Sequence, residues 1–328
     1  MRGVLLAAVV AAAAVLAGQA RAEGTFLDPV WSPDGASVAW AEAPLAGVPS
    51  PPNWEIWTAA ADGSGAQRAA AGPALSEGLD QIDWFAPVEL AFFGNFSLFL
   101  LPLGGQPTLV TRDIGDAFAR DARGDRFAFT TSPCGQGLCP TRVVVYDPAT
   151  GKRRVLGGPK VKYLDPTLSP DGSRVAFTTG AGLVVARADG THLHVVAPHA
   201  SCPQWSPDGR RILYAGPGGW IRAVPAGGGR SVGVIKPGVG CAYAPFRWGW
   251  SPDGRTVAVI VPPADRLSLL DVATRKLRTL TGFAHVVGFA FSPDGSQLLV
   301  ASRPTPAACS SIWRIGVDGS GPQLVTRC

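Results

Sequence analysis

An all-β fold, a β-propeller of seven four-stranded blades, is what the 328-residue chain predicts, and three observations predict it. The turn Ser-Pro-Asp-Gly is spelled five times, in "WSPDGASVAW" at 31, "LSPDGSRVAF" at 168, "WSPDGRRILY" at 205, "WSPDGRTVAV" at 250 and "FSPDGSQLLV" at 291. Units built on it recur at a mean spacing of about 43 residues, the period of a four-stranded propeller blade. Helix signals are missing: 41 Gly and 30 Pro are so scattered that hardly any window could hold an amphipathic helix.

Five copies leave a gap after residue 31 that is too long for one unit, and two degenerate copies fill it. "DWFAPVELAFF" keeps Trp84 and the ending Leu90, Ala91, Phe92, while "ARDARGDRFAF" keeps Phe127, Ala128, Phe129 but has Arg120 at the anchor. The seven anchors are therefore residues 31, 84, 120, 168, 205, 250 and 291. The unit at Arg120 has lost both Pro and Asp from its turn, and six blades is the alternative.

Each unit then reads as four strands. Strand A ends at the anchor, and strand B follows as "VAW", "LAF", "FAF", "VAF", "ILY", "VAV" and "LLV". Strand C is "WEIWTA", "FSLFLL", "RVVVYD", "LVVARA", "WIRAV", "LSLLD" and "SIWRI", and strand D is legible in segments such as "PTLVT", "LHVV" and "PQLVT". In the A-to-B turn Pro presets φ, Asp hydrogen-bonds the turn backbone and Gly takes φ > 0 without a steric penalty. An Asp that recurs at the same tight turn is architectural rather than a calcium ligand.

The succession of "PxWSPDG", an apolar-Ala-aromatic strand, an "IW" or "VY" strand and an "LVT" strand resembles the repeat of TolB-like propellers. It covers essentially all of the chain after the leader. The resemblance implies an envelope scaffold, although similar repeats also occur in oligopeptidase propellers and in some polysaccharide lyases. TolB proteins carry an α/β domain before a six-bladed propeller, whereas this chain enters strand A near Phe26 and has seven units.

Residues 1–22 read as a cleavable signal peptide: Arg2, an apolar run from Val4 to Leu16, and small residues at Ala20 and Ala22. The run is shorter than the roughly 20 residues that span a bilayer, and no later stretch comes close, so no membrane insertion is expected. Residues 23–328 form one domain, expected to be exported to the periplasm or the extracellular space. The formal charge of +5, two units of which are Arg2 and Arg21, is too scattered to indicate a nucleic-acid partner.

Alternating strand directions put the A-to-B and C-to-D turns on one face and the B-to-C and D-to-A loops on the other. All six Cys fall on the loop face. Cys134 and Cys139 share a B-to-C loop, Cys202 and Cys241 lie in D-to-A loops of neighbouring blades, and Cys309 and Cys328 flank strands C and D of the last blade. Of the possible pairings, geometry favours these three disulfides. In an exported chain with an even Cys count, a metal or redox role for "CGQGLC" is the lesser reading.

Signals of chemistry are weak. "GRSVG", Gly229 to Gly233, matches a nucleophile pattern but follows a turn and enters a strand instead of forming a strand-to-helix elbow. His192 and His194 lie two apart on an outer strand, a possible metal-ligand spacing that an exposed strand face explains as well. Richer positions precede the anchors: Asp28, Asp80, Asp83, Asp116 and Asp165, with Tyr163, Gln204, Phe246, Arg247 and Trp248. These form a channel mouth suited to a peptide, loop or sugar. The expectation is a monomeric, non-enzymatic, cofactor-free scaffold for an envelope protein, peptide or glycan. The alternative is a carbohydrate-active lyase or hydrolase with its site at that mouth.

Overall fold

The computed structural model describes residues 25–43, 54–71, 75, 79, 81–94, 96–112, 114–121, 125–131, 141–158, 161–237, 248–305 and 308–327, with only the backbone of 25–28, 116 and 117. The leader, Asp80, Cys134, Cys139, Cys241, Phe246, Arg247 and Cys328 lie outside the described residues, as do the side chains of Asp28 and Asp116.

Twenty-eight strands make seven four-stranded antiparallel sheets, each contiguous in the chain, as the repeat predicts. Blade 1 is β1 (Thr25–Trp31), β2 (Ser37–Ala43), β3 (Glu55–Ala60) and β4 (Gln67–Ala71). Blade 2 is β5 (Gln81–Ala86), β6 (Glu89–Gly94), β7 (Ser97–Pro102) and β8 (Thr108–Thr111). Blade 3, built on the Arg120 unit, is β9 (Ile114–Arg120), β10 (Phe127–Thr131), β11 (Arg142–Asp147) and β12 (Lys152–Leu156). Blade 4 is β13 (Leu164–Leu168), β14 (Arg174–Thr179), β15 (Gly182–Arg187) and β16 (His194–Ala197). Blade 5 is β17 (Ser201–Trp205), β18 (Arg211–Gly216), β19 (Trp220–Pro225) and β20 (Val232–Ile235). Blade 6 is β21 (Trp248–Trp250), β22 (Thr256–Val261), β23 (Arg266–Asp271) and β24 (Leu277–Thr279). Blade 7 is β25 (Val286–Phe291), β26 (Gln297–Ser302), β27 (Ser311–Gly316) and β28 (Gln323–Thr326).

Strand periodicity explains why no blade stands alone. Successive side chains point to opposite faces, so Val38 and Trp40 of β2 pack with Leu299 and Ala301 of blade 7, while Ala39 and Ala41 pack with Trp84 and Phe92 of blade 2. One apolar cluster of this kind lies between every pair of neighbours around the ring. Both faces of each sheet are thereby removed from water, at about 25 cal/mol per Å2 of apolar surface.

The intact turns depend on more than Pro, Asp and Gly. Their serines are buried at the centre: Ser169 Oγ donates to Asp171 Oδ1 at 2.6 Å and accepts the Arg174 N–H at 2.9 Å. The same arrangement recurs at Ser32, Ser206, Ser251 and Ser292. Gly172 supplies the left-handed residue at φ +67°. In blade 3 Asp121 does both jobs, its Oδ1 accepting the N–H groups of Asp125 at 2.8 Å and Arg126 at 3.4 Å.

Among the described residues no strand is shared between the first and last blades. The Trp31 indole donates to the Ala290 carbonyl at 3.3 Å, and Gly63, at φ +86°, is pressed so close that a Cβ would sit 2.6 Å from Val325 O. Trp205 repeats the indole contact one blade apart, donating to Thr167 O at 3.1 Å. Inter-blade indole bonds of this kind give Trp31 and Trp205 a purpose that the turn alone did not, whereas the buried indole nitrogens of Trp84 and Trp250 make no such bond to the described residues.

Candidate functional site: the central channel

The innermost strands of all seven blades line one axial cavity of about 690 Å3. Its turn end is rimmed by Pro33, Pro170, Pro207, Pro252 and Pro293, the prolines of the five intact turns. On blades 6 and 7 the wall is aromatic: Trp250, Phe289 and Phe291 are half-buried, and the two Phe rings meet edge-to-face at 6.4 Å. Across the ring, blades 2 and 3 present Gln81, Asp83 and Arg120.

That polar wall is held rigidly. Arg120 Nε donates to Asp83 Oδ2 at 2.8 Å, with side-chain exposures of 20% and 27%. The other Asp83 oxygen accepts the Trp84 N–H at 2.8 Å, and Arg120 Nη1 reaches Asp121 O at 3.3 Å. Gln81 forms a two-way bridge to Phe118, donating to its carbonyl at 2.9 Å and accepting its N–H at 3.3 Å. Gln204, in blade 5, donates to Trp248 O at 2.9 Å. The Arg120–Asp83, Gln81–Phe118 and Gln204–Trp248 bonds link innermost strands of neighbouring blades, so these polar groups are pre-positioned.

Of the residues expected at a mouth, Asp83 and Gln204 line this cavity. Trp248 touches it too, but at 2% exposure it is a core residue between blades 5 and 6 and not an exposed anchor. Its place just before an anchor suggested a channel mouth; the strand face it occupies buries it. Tyr163 is likewise in the core between blades 3 and 4, its hydroxyl accepting the Gly158 N–H at 2.8 Å. Asp165 sits at φ +51° in a β-bulge, where Oδ2 accepts Thr178 Oγ1 and the Cys202 N–H, both at 3.1 Å. Its carboxylate thus ties a hydroxyl of blade 4 to the backbone of blade 5, and Asp165 is not among the residues that line the cavity. Cys202 lies in the bulge of β17 and not in a D-to-A loop. Neither Cys202 nor Cys309 is a free thiol.

Sequence reasoning missed Arg120, Gln81, Trp250, Phe289 and Phe291 as wall residues. The available signal was at Arg120, a charge where the other units place Trp, Leu or Phe. Ser231 of the Gly229–Gly233 match is fixed by Tyr214 Oη at 2.6 Å and by the Arg222 Nε–H at 2.8 Å, ahead of strand β20. His192 and His194 do not share a strand face: His192 is at φ +55° before β16 begins, and His194 Nδ1 lies 3.0 Å from its carbonyl.

A second hollow, about 750 Å3, opens on the turn face over blades 2 to 4, lined by Phe85, Glu89, Leu100, Asp125, Arg126 and Asp171 among others. Although larger, it has little uncommitted chemistry. Asp171 is tied to its turn serines, which hold its carboxyl at about 2, and Arg126 donates to Gly172 O at 3.0 Å. Burial pushes the Glu89 carboxyl up. Among the described residues no group of three or more His, Cys, Asp or Glu side chains is arranged to hold a metal ion, and no helix is long and apolar enough to cross a membrane.

No protein-family model and no curated protein matches the chain. Solved structures do. An oligogalacturonate lyase in complex with manganese superposes with TM-score 0.65 at 14% identity, covering 88% of each chain. Oligogalacturonate lyase from Vibrio parahaemolyticus gives 0.64 at 12% identity, covering 89% of this chain and 90% of the other. TolB from Acinetobacter baumannii gives 0.52 at 15% identity, covering 86% and 78%. At these identities the likeness shows the fold. It also overturns the expectation of a non-enzymatic scaffold, which rested on TolB: enzymes share this architecture more closely than TolB does.

Proposed function

We propose that this chain is a carbohydrate-active enzyme, a lyase or hydrolase, that takes an oligosaccharide at the axial channel. One observation carries the reading: an aromatic wall on blades 6 and 7 faces a wall of fixed hydrogen-bonding side chains on blades 2 and 3. A sugar ring has the same two-sided character, with apolar C–H faces and a polar hydroxyl rim, and pockets that combine aromatic surface with a few placed polar groups suit such ligands. The likeness to two oligogalacturonate lyases supports the substrate class. The manganese held by one of them finds no matching donor set among the described residues, since both oxygens of Asp83 are already engaged.

The proposal includes export by the leader at residues 1–22, and disulfides pairing Cys134 with Cys139, Cys202 with Cys241 and Cys309 with Cys328 on the loop face. The bonded state of Cys202 and Cys309 supports the last two, and peptide mapping without reductant tests all three. Activity is tested by incubating the purified protein with neutral and uronate oligosaccharides. New reducing ends report either reaction, and the absorbance of an unsaturated uronate reports elimination alone. If no glycan in a broad panel is cleaved, the enzymatic reading fails.

A further inference from the structure

We infer that the channel selects an uncharged glycan and binds it without a divalent cation, in contrast to the oligogalacturonate and manganese named for its structural neighbours. The inference rests on the carbohydrate reading and narrows it. A uronate buried in a cavity must meet a cation, because an unpaired carboxylate out of water carries a heavy desolvation penalty. Among the described residues lining the cavity, Arg120 is the sole cationic side chain. It is already neutralised: Asp83 Oδ2 sits 2.8 Å from its Nε.

A metal ion has no better footing there. Asp83 gives one oxygen to Arg120 and the other to the Trp84 N–H, and Asp121 Oδ1 receives the N–H groups of Asp125 and Arg126. None of the four His lies among the lining residues. The described wall therefore offers a closed ion pair, fixed amide and guanidinium donors, and aromatic rings. Hydroxyl groups can use the donors and the rings, whereas the carboxylates of a polyuronate meet no unpaired cation among the described lining residues. Elimination requires a carboxylate beside the C–H that loses its proton, so an uncharged glycan leaves hydrolysis. Water then adds across the glycosidic bond, its hydroxyl to the anomeric carbon and its proton to the departing oxygen.

Calorimetric titration of the full protein tests this with xylo-, cello-, malto- and chito-oligosaccharides and with oligogalacturonate of equal length, each in EDTA and in excess manganese. The expected result is that at least one uncharged series binds, that oligogalacturonate binds about tenfold or more weakly, and that manganese changes neither. Tighter binding of oligogalacturonate, or binding that manganese strengthens, overturns the inference and leaves the carbohydrate reading intact. If no sugar binds, the carbohydrate reading itself falls. Asp83→Asn sharpens the test by leaving Arg120 without its counter-charge: oligogalacturonate affinity should rise about tenfold. An unchanged preference in a variant with the wild-type melting temperature also overturns the inference, and if that variant does not fold, the wild-type titration decides.

Discussion

Blades 1, 4, 5, 6 and 7 keep Ser-Pro-Asp-Gly, and blades 2 and 3 have lost it. In the five intact blades the turn residues are consumed by geometry. The buried serine holds Asp and strand B, Pro rims the channel and Gly makes the bend. In the two altered blades a two-residue hairpin and an Asp121-centred turn do that work with other side chains, and the innermost strands carry Gln81, Asp83 and Arg120 to the channel. The polar wall of the cavity thus lies where the repeat is least regular. Regularity in this molecule marks architecture, and departures from it mark the places where a side chain is available for a ligand.

Substitutions on either side of that divide should behave differently. The largest effect belongs to Trp248→Ala, which empties a fully enclosed site between blades 5 and 6; denaturant unfolding should show a loss of about 3–5 kcal/mol. A loss below about 1 kcal/mol would return Trp248 to the surface that the sequence suggested. Gly63→Ala comes next. Its Cβ would collide with the backbone of Val325 at a left-handed residue, so the blade 1–blade 7 seam should weaken by about 2 kcal/mol or more.

Ser169→Ala probes the intact turn itself. It leaves the Arg174 N–H without its acceptor and should cost about 1–3 kcal/mol. The variant should also flatten the acid limb of the stability profile. The carboxyls of Asp171 and Asp294 are lowered from 3.8 to about 2, with serine hydroxyl bonds as the leading cause, and those of Asp34, Asp208 and Asp253 are lowered in the same way. A depressed carboxyl stabilises the fold fully above its unfolded value and loses that contribution as the pH falls. Melting temperature should therefore drop between about pH 4 and pH 2, less steeply in Ser169→Ala than in wild type. Equal slopes would remove the serine as the cause.

Arg120→Leu should have the smallest effect on stability, within about 1 kcal/mol, because a part-exposed ion pair contributes little and Leu168 fills the equivalent position in blade 4. Glycan binding should nevertheless be lost. A variant that unfolds would make Arg120 a structural rivet, and one that binds sugar as before would move the site away from blades 2 and 3.

Much of the fold was legible because its information is local. Strand alternation, a tight turn and a recurring spacing are written in contiguous residues, so the blade count, including the degenerate unit at Arg120, followed without knowing any contact. The candidate site was less legible. Asp165 and Tyr163 looked available because they precede an anchor, yet one serves a bulge and the other a core. Neither outcome depends on residue type, since bulge and burial are set by the partner strand and the neighbouring blade.

The sequence by itself determined seven contiguous sheets, the turn that joins their inner strands, and the apolar faces that force the blades to stack. Only the tertiary structure decided which inner-strand side chains meet across the axis, how Trp31 reaches Ala290 from 259 residues away to close the ring, and why Arg120 stands paired with Asp83 opposite Phe289. The physical reason is the same in each case. A strand's pattern fixes that two faces are buried, but the identity of what lies against each face comes from residues one blade away or more, brought there by ring closure.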